Sequence, residues 1–158
     1  DRERHTSNKV IFEEYLTTGY NYRMTDIQAA LGIGQLKRLP AIIDERRRIA
    51  DIYYKELKDV PWLQLPTEPE YCRTNWQSFP VRVKDGSRLN RDAIMQYLLD
   101  AGIVTRRGIM NAHQEKAYGS KISLINSEVA RDSVMLLPIF NGMKKEQLYK
   151  IIKIIRNA

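Results

Sequence analysis

The chain has 158 residues, with 26 Lys+Arg against 19 Asp+Glu, a formal net charge of +7 and a pI near 9.5. Its length suits one domain with an appendage, and 43% hydrophobic with 28% charged residues excludes global disorder. No apolar run approaches the ~20 residues of a membrane helix, and no basic-then-apolar stretch reads as a secretory leader. The single cysteine, Cys72, excludes an intramolecular disulfide and an all-cysteine metal site, and a lone thiol fits a reducing cytoplasm. The chain opens Asp1-Arg2-Glu3-Arg4 without an initiator Met, as a piece of a longer protein would.

In chain order, residues 1–20 are polar and unperiodic, a loop with at most a turn of helix near Phe12–Leu16. Thr25-Asp26-Ile27-Gln28 has the form of a capping box, which predicts a helix to about Leu39. Pro40 suits the first turn of a second helix, whose apolar face is Ile42, Ile49, Ile52, Tyr53 and Leu57, to about Lys58. Arg46-Arg47-Arg48 within it reads as an exposed face paired with Asp44 and Glu45. Prolines 61, 66 and 69 punctuate a loop with a short strand at Trp62–Leu65.

Thr74–Val83 reads as a strand, in which Pro80 argues for an edge or a bulge. After the Asp85-Gly86 turn, Asn90 opens a third helix with Leu89 stapled to Ile94, and Gly102 closes it as a left-handed cap. Ile103–Arg106 reads as a strand, residues 108–126 as loop, Ser127–Ser133 as a short helix and Val134–Pro138 as a buried strand. Leu148, Ile151, Ile152 and Ile155 give the last helix, about Lys144–Arg156, one apolar stripe. The fold class is therefore α/β, as an α+β layer: a mainly antiparallel sheet with helices on one face, preceded by a two-helix connector.

Residues 1–79 hold 12 basic and 12 acidic residues, while residues 80–158 hold 14 and 7, so the whole excess of +7 lies in the second half. That imbalance fits a phosphate-bearing small molecule, a nucleic acid, an acidic protein, or a plain solvated surface. Gly32-Ile33-Gly34 sits within a helix and lacks a third glycine, and Gly119-Ser120-Lys121 lacks the upstream glycine of a phosphate loop. Two His and one Cys without ligand spacing make no zinc site. Cys72 has no activator beside it to make it a nucleophile with His113. No recognition helix or RNA-binding signature stands out.

Three segments carry a sharper signal: Gly19-Tyr20-Asn21-Tyr22-Arg23-Met24-Thr25-Asp26-Ile27-Gln28-Ala29-Ala30, Thr74-Asn75-Trp76-Gln77-Ser78, and Gly102 through Met110 running on to His113. With Leu137-Pro138 and Gly142-Met143 in order behind them, the chain resembles the C-terminal part of the DegT/DnrJ/StrS family of pyridoxal-phosphate (PLP) sugar aminotransferases, most closely its perosamine-synthetase-like branch. The resemblance implies the small C-terminal domain of a type I aminotransferase fold. Residues 1–24 would be a loop from the large-domain side, 25–59 a helical connector and 60–158 the small α+β domain. It implies a cytoplasmic homodimer that moves an amino group from glutamate or glutamine to a nucleotide-linked keto sugar, in deoxyamino-sugar and polysaccharide biosynthesis.

In that family the Schiff-base lysine precedes the GYNYRM segment, and none of the eleven lysines here matches it. The resemblance thus implies no catalytic residue in this chain, a fragment inactive by itself, and no metal. Asn21 takes the position of the asparagine that reaches the PLP phosphate of the neighbouring subunit; a loop asparagine bonding its own backbone is the other reading. Arg23 takes a substrate or phosphate contact, or pairs with Asp26. His113 borders the sugar site, or is a structural histidine. Arg106 and Arg107 alternate in direction if that segment is a strand, so at most one of them would face the nucleotide-sugar. Met110 and Asn111 line the same loop, whereas Trp76 and Gln77 read as core or strand pairing. Lys144 departs from the family's Thr or Ser cap, and Pro80 is also atypical. Two other functions remain open: a PLP-dependent sugar dehydratase of the same family, and a basic module that binds nucleic acid or protein.

Overall fold

A computed structural model describes residues 6–12, 14–119 and 121–158 of the chain. Thr25 caps helix α1 as its context requires: its hydroxyl accepts from the Gln28 N–H, and the Gln28 side chain accepts from the Thr25 N–H. The helix then runs without a break from Asp26 to Leu57, 32 residues with Pro40 inside. The expected pair of helices is therefore one. Pro40 lacks an N–H, so the helix gives up one bond there, and its exposed ring borders a groove with Leu36, Ile43 and Thr74.

A four-stranded antiparallel sheet follows, from β1 (Leu63–Gln64), β2 (Phe79–Val83), β3 (Arg106–Arg107) and β4 (Val134–Leu137), in spatial order β1-β2-β4-β3. Helix α2 (Arg91–Asp100) precedes β3, α3 (Ile125–Ser133) precedes β4, and α4 (Lys145–Arg156) ends the fold. Two 3₁₀ turns, Ala112–Gln114 and Lys116–Tyr118, sit in the stretch read as loop. No helical turn forms in the described residues around Phe12–Leu16, and Glu13 lies outside them. Asn90 caps α2 through the Ala93 N–H, and Gly102 closes it at φ +77°. Lys144 supplies no side-chain cap to α4; the Gln147 side chain instead accepts from its N–H.

Strand residues alternate as a half-buried sheet should. Phe79, Val81 and Val83 of β2, with Met135 and Leu137 of β4, turn to one face. Against them pack Ile49, Tyr53 and Leu57 of α1, Ile94 and Leu98 of α2, and the Leu148–Ile155 stripe of α4, in one continuous core. The rings of Tyr53 and Trp76 lie 5.0 and 5.3 Å from Phe79, and the buried Tyr53 hydroxyl donates to the Pro138 carbonyl at 2.8 Å.

Three strand expectations change. Of the stretch from residue 74 to residue 83 only Phe79–Val83 is strand, because Trp76 has φ +49° and the Asn75 side chain accepts from the Gln77 N–H, which bends the chain into a turn. Pro80 lies on a central strand rather than an edge. Even-numbered residues of β2 aim their N–H at β1, as Lys84 does toward the Trp62 carbonyl, and β1 ends before reaching Pro80. The missing donor costs no ladder bond. The third strand is Arg106–Arg107, shifted from Ile103–Arg106.

The Arg46–Arg48 run also departs from expectation. Arg46 donates to the Trp76 and Gln77 carbonyls at 3.0 and 2.7 Å, so it clamps the strained turn, and Arg47 meets Glu68 at 3.4 Å. Neither pairs with Asp44 or Glu45; the Glu45 carboxylate accepts from the Gly142 N–H. Truncating the core ring in Phe79→Ala is expected to cost about 3–5 kcal/mol. Tyr53→Phe, which orphans the Pro138 carbonyl, should cost about 1–2 kcal/mol. Urea unfolding of the two variants checks both the size and the order.

Candidate functional site

The described N-terminal residues form a strap across the edge of the sheet. The Val10 N–H donates to the Gln96 side chain, which in turn donates to the Asn8 carbonyl, tying the strap to α2. Farther along, the Tyr15 carbonyl accepts from the Ala117 N–H and Lys116 pairs with Glu14 at 2.7 Å. Between these ties the Phe12 ring receives two guanidinium groups, Arg91 at 5.0 Å and Arg107 at 5.3 Å from its centroid. Arg91 is 5% exposed and also donates to the Arg131 and Val134 carbonyls, so it joins the strap to the start of β4.

Under the strap lies a cleft of about 320 Å³, bordered by Lys9, Tyr15, Gln77, Thr105, Arg106 and Arg107 among others. Both arginines of β3 border it. The expectation that only one would do so assumed a regular strand; β3 is two residues long and lies at the sheet edge, where the cleft wraps around it. Met110 joins the wall, and so does Gln77, which was expected in strand pairing or core. Asn111 does not: it is 6% exposed and its amide donates to Gln114. Gly108 has no room for a side chain, since a Cβ there would lie 2.3 Å from Val134 Cγ1.

His113 sits apart from this cleft. Its Nε2 lies 3.0 Å from a Glu128 carboxylate oxygen, which also accepts from the Leu124 N–H at 2.8 Å and from Ser123. The Leu124 N–H, with His113 and Ser123 adding, holds the Glu128 carboxyl below the usual carboxylate range. The clasp fastens the 3₁₀ turn to the first turn of α3.

Asn21 and Arg23 stand on a third surface, the exposed segment ahead of α1. The Asn21 Oδ1 accepts from the Arg23 N–H at 2.9 Å, which supports φ +61° at Arg23. Arg23 does not pair with Asp26. Among the described residues the Asn21 Nδ2 and the Arg23 guanidinium have no partner. Two unspent donor groups on one short turn suit a phosphate. Around them Tyr20, Tyr22 and Met24 are 80%, 87% and 67% exposed, and Ile27, Leu31 and Leu36 continue the apolar surface along α1.

Residues 2–156 match the model of the DegT/DnrJ/EryC1/StrS aminotransferase family. The chain belongs to that family. Solved structures agree in fold. Aminotransferase TlmJ from Streptoalloteichus hindustanus is 29% identical with a TM-score of 0.76, over 84% of this chain and 35% of its own. DesV from S. venezuelae, solved in complex with a ketimine intermediate, is 25% identical with a TM-score of 0.77, over 99% of this chain and 42% of its own. Spr1654 from Streptococcus pneumoniae, solved in a PLP form and a PMP form, is 25% identical with a TM-score of 0.76, over 90% of this chain and 37% of its own. The chain thus spans between 35% and 42% of the length of these proteins. Among the described residues no helix is long and apolar enough to cross a membrane.

Lys9, Phe12 and Tyr15 were not singled out from the sequence as site residues, and Ser78 only as the end of the Thr74–Ser78 segment. The aromatic pair Phe12 and Tyr15 in an otherwise polar opening was the signal for the strap. Gly108→Ala is expected to displace the wall of the cleft and cost about 1–3 kcal/mol, read by thermal unfolding. Because its folded pKa is lowered, Glu128 stabilises the fold above the ordinary carboxylate pKa, and this is lost as pH falls through the lowered value. In Glu128→Gln the stability difference from wild type should be largest near neutrality and shrink in acid, as pH-dependent urea titrations would report.

Proposed function

We propose that this family member is the C-terminal part of a PLP-dependent sugar aminotransferase, of the perosamine-synthetase-like branch, acting on a nucleotide-linked keto sugar with glutamate or glutamine as amine donor. The observation that carries the reading is the donor pair on the turn ahead of α1: among the described residues the Asn21 Nδ2 and the Arg23 guanidinium have no partner, both residues are exposed, and the Asn21 Oδ1 accepts from the Arg23 N–H. In this reading residues 1–24 approach from a large domain, 25–59 connect, and 60–158 form the small domain of a cytoplasmic homodimer. The whole protein would serve deoxyamino-sugar and polysaccharide biosynthesis.

Bound PLP supplies the electron sink for amino transfer. Asn21 would donate to its phosphate from the partner protomer, and Arg23 would add a charged donor to phosphate or substrate. Those two contacts fit a phosphate; no lysine here is assigned to the cofactor's carbonyl carbon. Arg106 and Arg107 would bind and orient the substrate from the sheet edge. His113, held by Glu128, would act on the sugar only through the loop it positions, or by exchanging its carboxylate partner for a sugar hydroxyl. The exposed apolar surface of Tyr20–Leu36 suits burial against the rest of the protein. The alternative, a PLP-dependent sugar dehydratase of the same family, would draw on the same contacts from this chain.

The intact protein, given PLP, glutamate and a nucleotide-linked keto sugar, is expected to form an amino sugar, measured by mass spectrometry. The 158-residue chain with added PLP is expected to give no turnover. Turnover by that chain alone would overturn the placement of the catalytic lysine outside it.

A further inference from the structure

The imidazole of His113 is 10% exposed, and one of its two nitrogens has no partner. Nε2 lies 3.0 Å from Glu128 Oε1, whereas among the described residues nothing bonds to Nδ1. The same Oε1 accepts from the Leu124 N–H at 2.8 Å and from the Ser123 hydroxyl at 3.3 Å. The Leu124 N–H first, then His113 and Ser123, hold this carboxyl below the usual carboxylate range, so it is ionised at neutral pH. An ionised carboxylate only accepts, so the proton between the two groups sits on Nε2. A neutral ring carries a single N–H, and Nδ1 therefore keeps its lone pair.

The pair is braced from both sides. Leu124 offers α3 no side-chain cap; the Glu128 carboxylate meets its N–H from within the first turn, so the backbone fixes the direction of that carboxylate. Next to His113, the Gln114 side chain accepts from Arg131 at 2.8 Å. His113 and Gln114 thus grip Glu128 and Arg131, three positions apart on one face of α3. The other charged groups of this region are engaged elsewhere: Arg131 also lies 3.6 Å from Asp132, Glu115 accepts from the Tyr15 N–H, and Lys116 pairs with Glu14. A carboxylate set behind an imidazole holds it in one tautomer and steadies the cation that forms when the open nitrogen takes up a proton.

We propose that Glu128 is a positioning residue that locks His113 as the Nε2–H tautomer and leaves Nδ1 as a proton acceptor for an O–H or N–H donor. The donor gives up its proton and keeps the electron pair, Nδ1 gains that proton, Nε2 keeps its own, and Glu128 stays ionised. Use of this acceptor in amino transfer rests on the function proposed above; the tautomer does not.

His113 is one of two histidines, so ¹⁵N-histidine labelling of the 158-residue chain, with His5→Gln as the assignment control, resolves its ring. Above neutral pH the spectrum is expected to show one N–H, on Nε2 and slow to exchange with water, and a bare Nδ1. Glu128→Gln should keep that proton in place, because the Leu124 and Ser123 donors still aim the amide oxygen at the ring. Glu128→Ala, with circular dichroism unchanged, should speed its exchange until the N–H signal is lost. In the intact protein Glu128→Ala is expected to lower kcat roughly tenfold or more with KM little changed, and Glu128→Gln to recover part of the loss. A proton on Nδ1 in the wild type, a bare Nε2, or a folded Glu128→Ala variant with the N–H signal and kcat of the wild type would each overturn the proposal. Absence of amino transfer by the intact wild type would sink the amino-transfer reading instead, while the ring spectrum still decides this one.

Discussion

The burial of the C-terminal half of α1 on the sheet is the contact on which the rest depends. Ile49, Ala50, Tyr53 and Leu57 are wholly buried, and they meet Phe79, Met135 and the α4 stripe in one core. Fully burying side chains the size of Ile49 and Leu57 contributes about 1.5–3 kcal/mol each, so this half of the helix is fixed. From the same helix Arg46 reaches the carbonyls of Trp76 and Gln77. The charge–carbonyl bonds hold a bulky residue in the left-handed region and thereby place Gln77 and Ser78 at the cleft. One anchored helix thus sets both the core and one wall of the candidate site.

The N-terminal half of the same helix behaves differently. Ile27, Leu31, Ile33 and Leu36 are exposed, and the Asn21–Arg23 turn rides at its free end. The helix is a lever whose fixed end belongs to the sheet and whose free end carries Asn21 and Arg23 away from it. This arrangement separates the six singled-out site and clasp residues into three groups. Arg106 and Arg107 meet at the cleft, His113 and Glu128 form the α3 clasp, and Asn21 and Arg23 stand alone. These candidate side chains stand on separate surfaces of a chain that spans between 35% and 42% of the length of the solved structures it matches.

Local chemistry was readable from the residues where it is decided within one turn. The caps at Thr25, Asn90 and Gly102, the stripe of α4 and the β4 strand need only neighbours three or four positions away. The family-like segments were readable because their residue order is specific. What was missed depends on distant partners. Pro40 reads as a helix start because nothing in its immediate neighbours shows that the helix continues through it. Arg46 and Arg47 read as solvent-facing because their partners, the Trp76 carbonyl and Glu68, lie on a loop that the sequence places 21 or more residues away. The cleft was invisible for the same reason: the strap and the segment after Gly102 meet across a separation such as the 95 residues between Tyr15 and Met110.

The central claim is that the turn before α1 donates to a PLP phosphate. The most direct measurement is the PLP affinity of the intact protein with Asn21 and with Asn21→Ala, by titration of cofactor absorbance. Loss of a hydrogen bond to a charged group, worth about 1.5–3 kcal/mol, predicts affinity weakened roughly tenfold or more. Unchanged affinity, with the fold intact, would contradict the account.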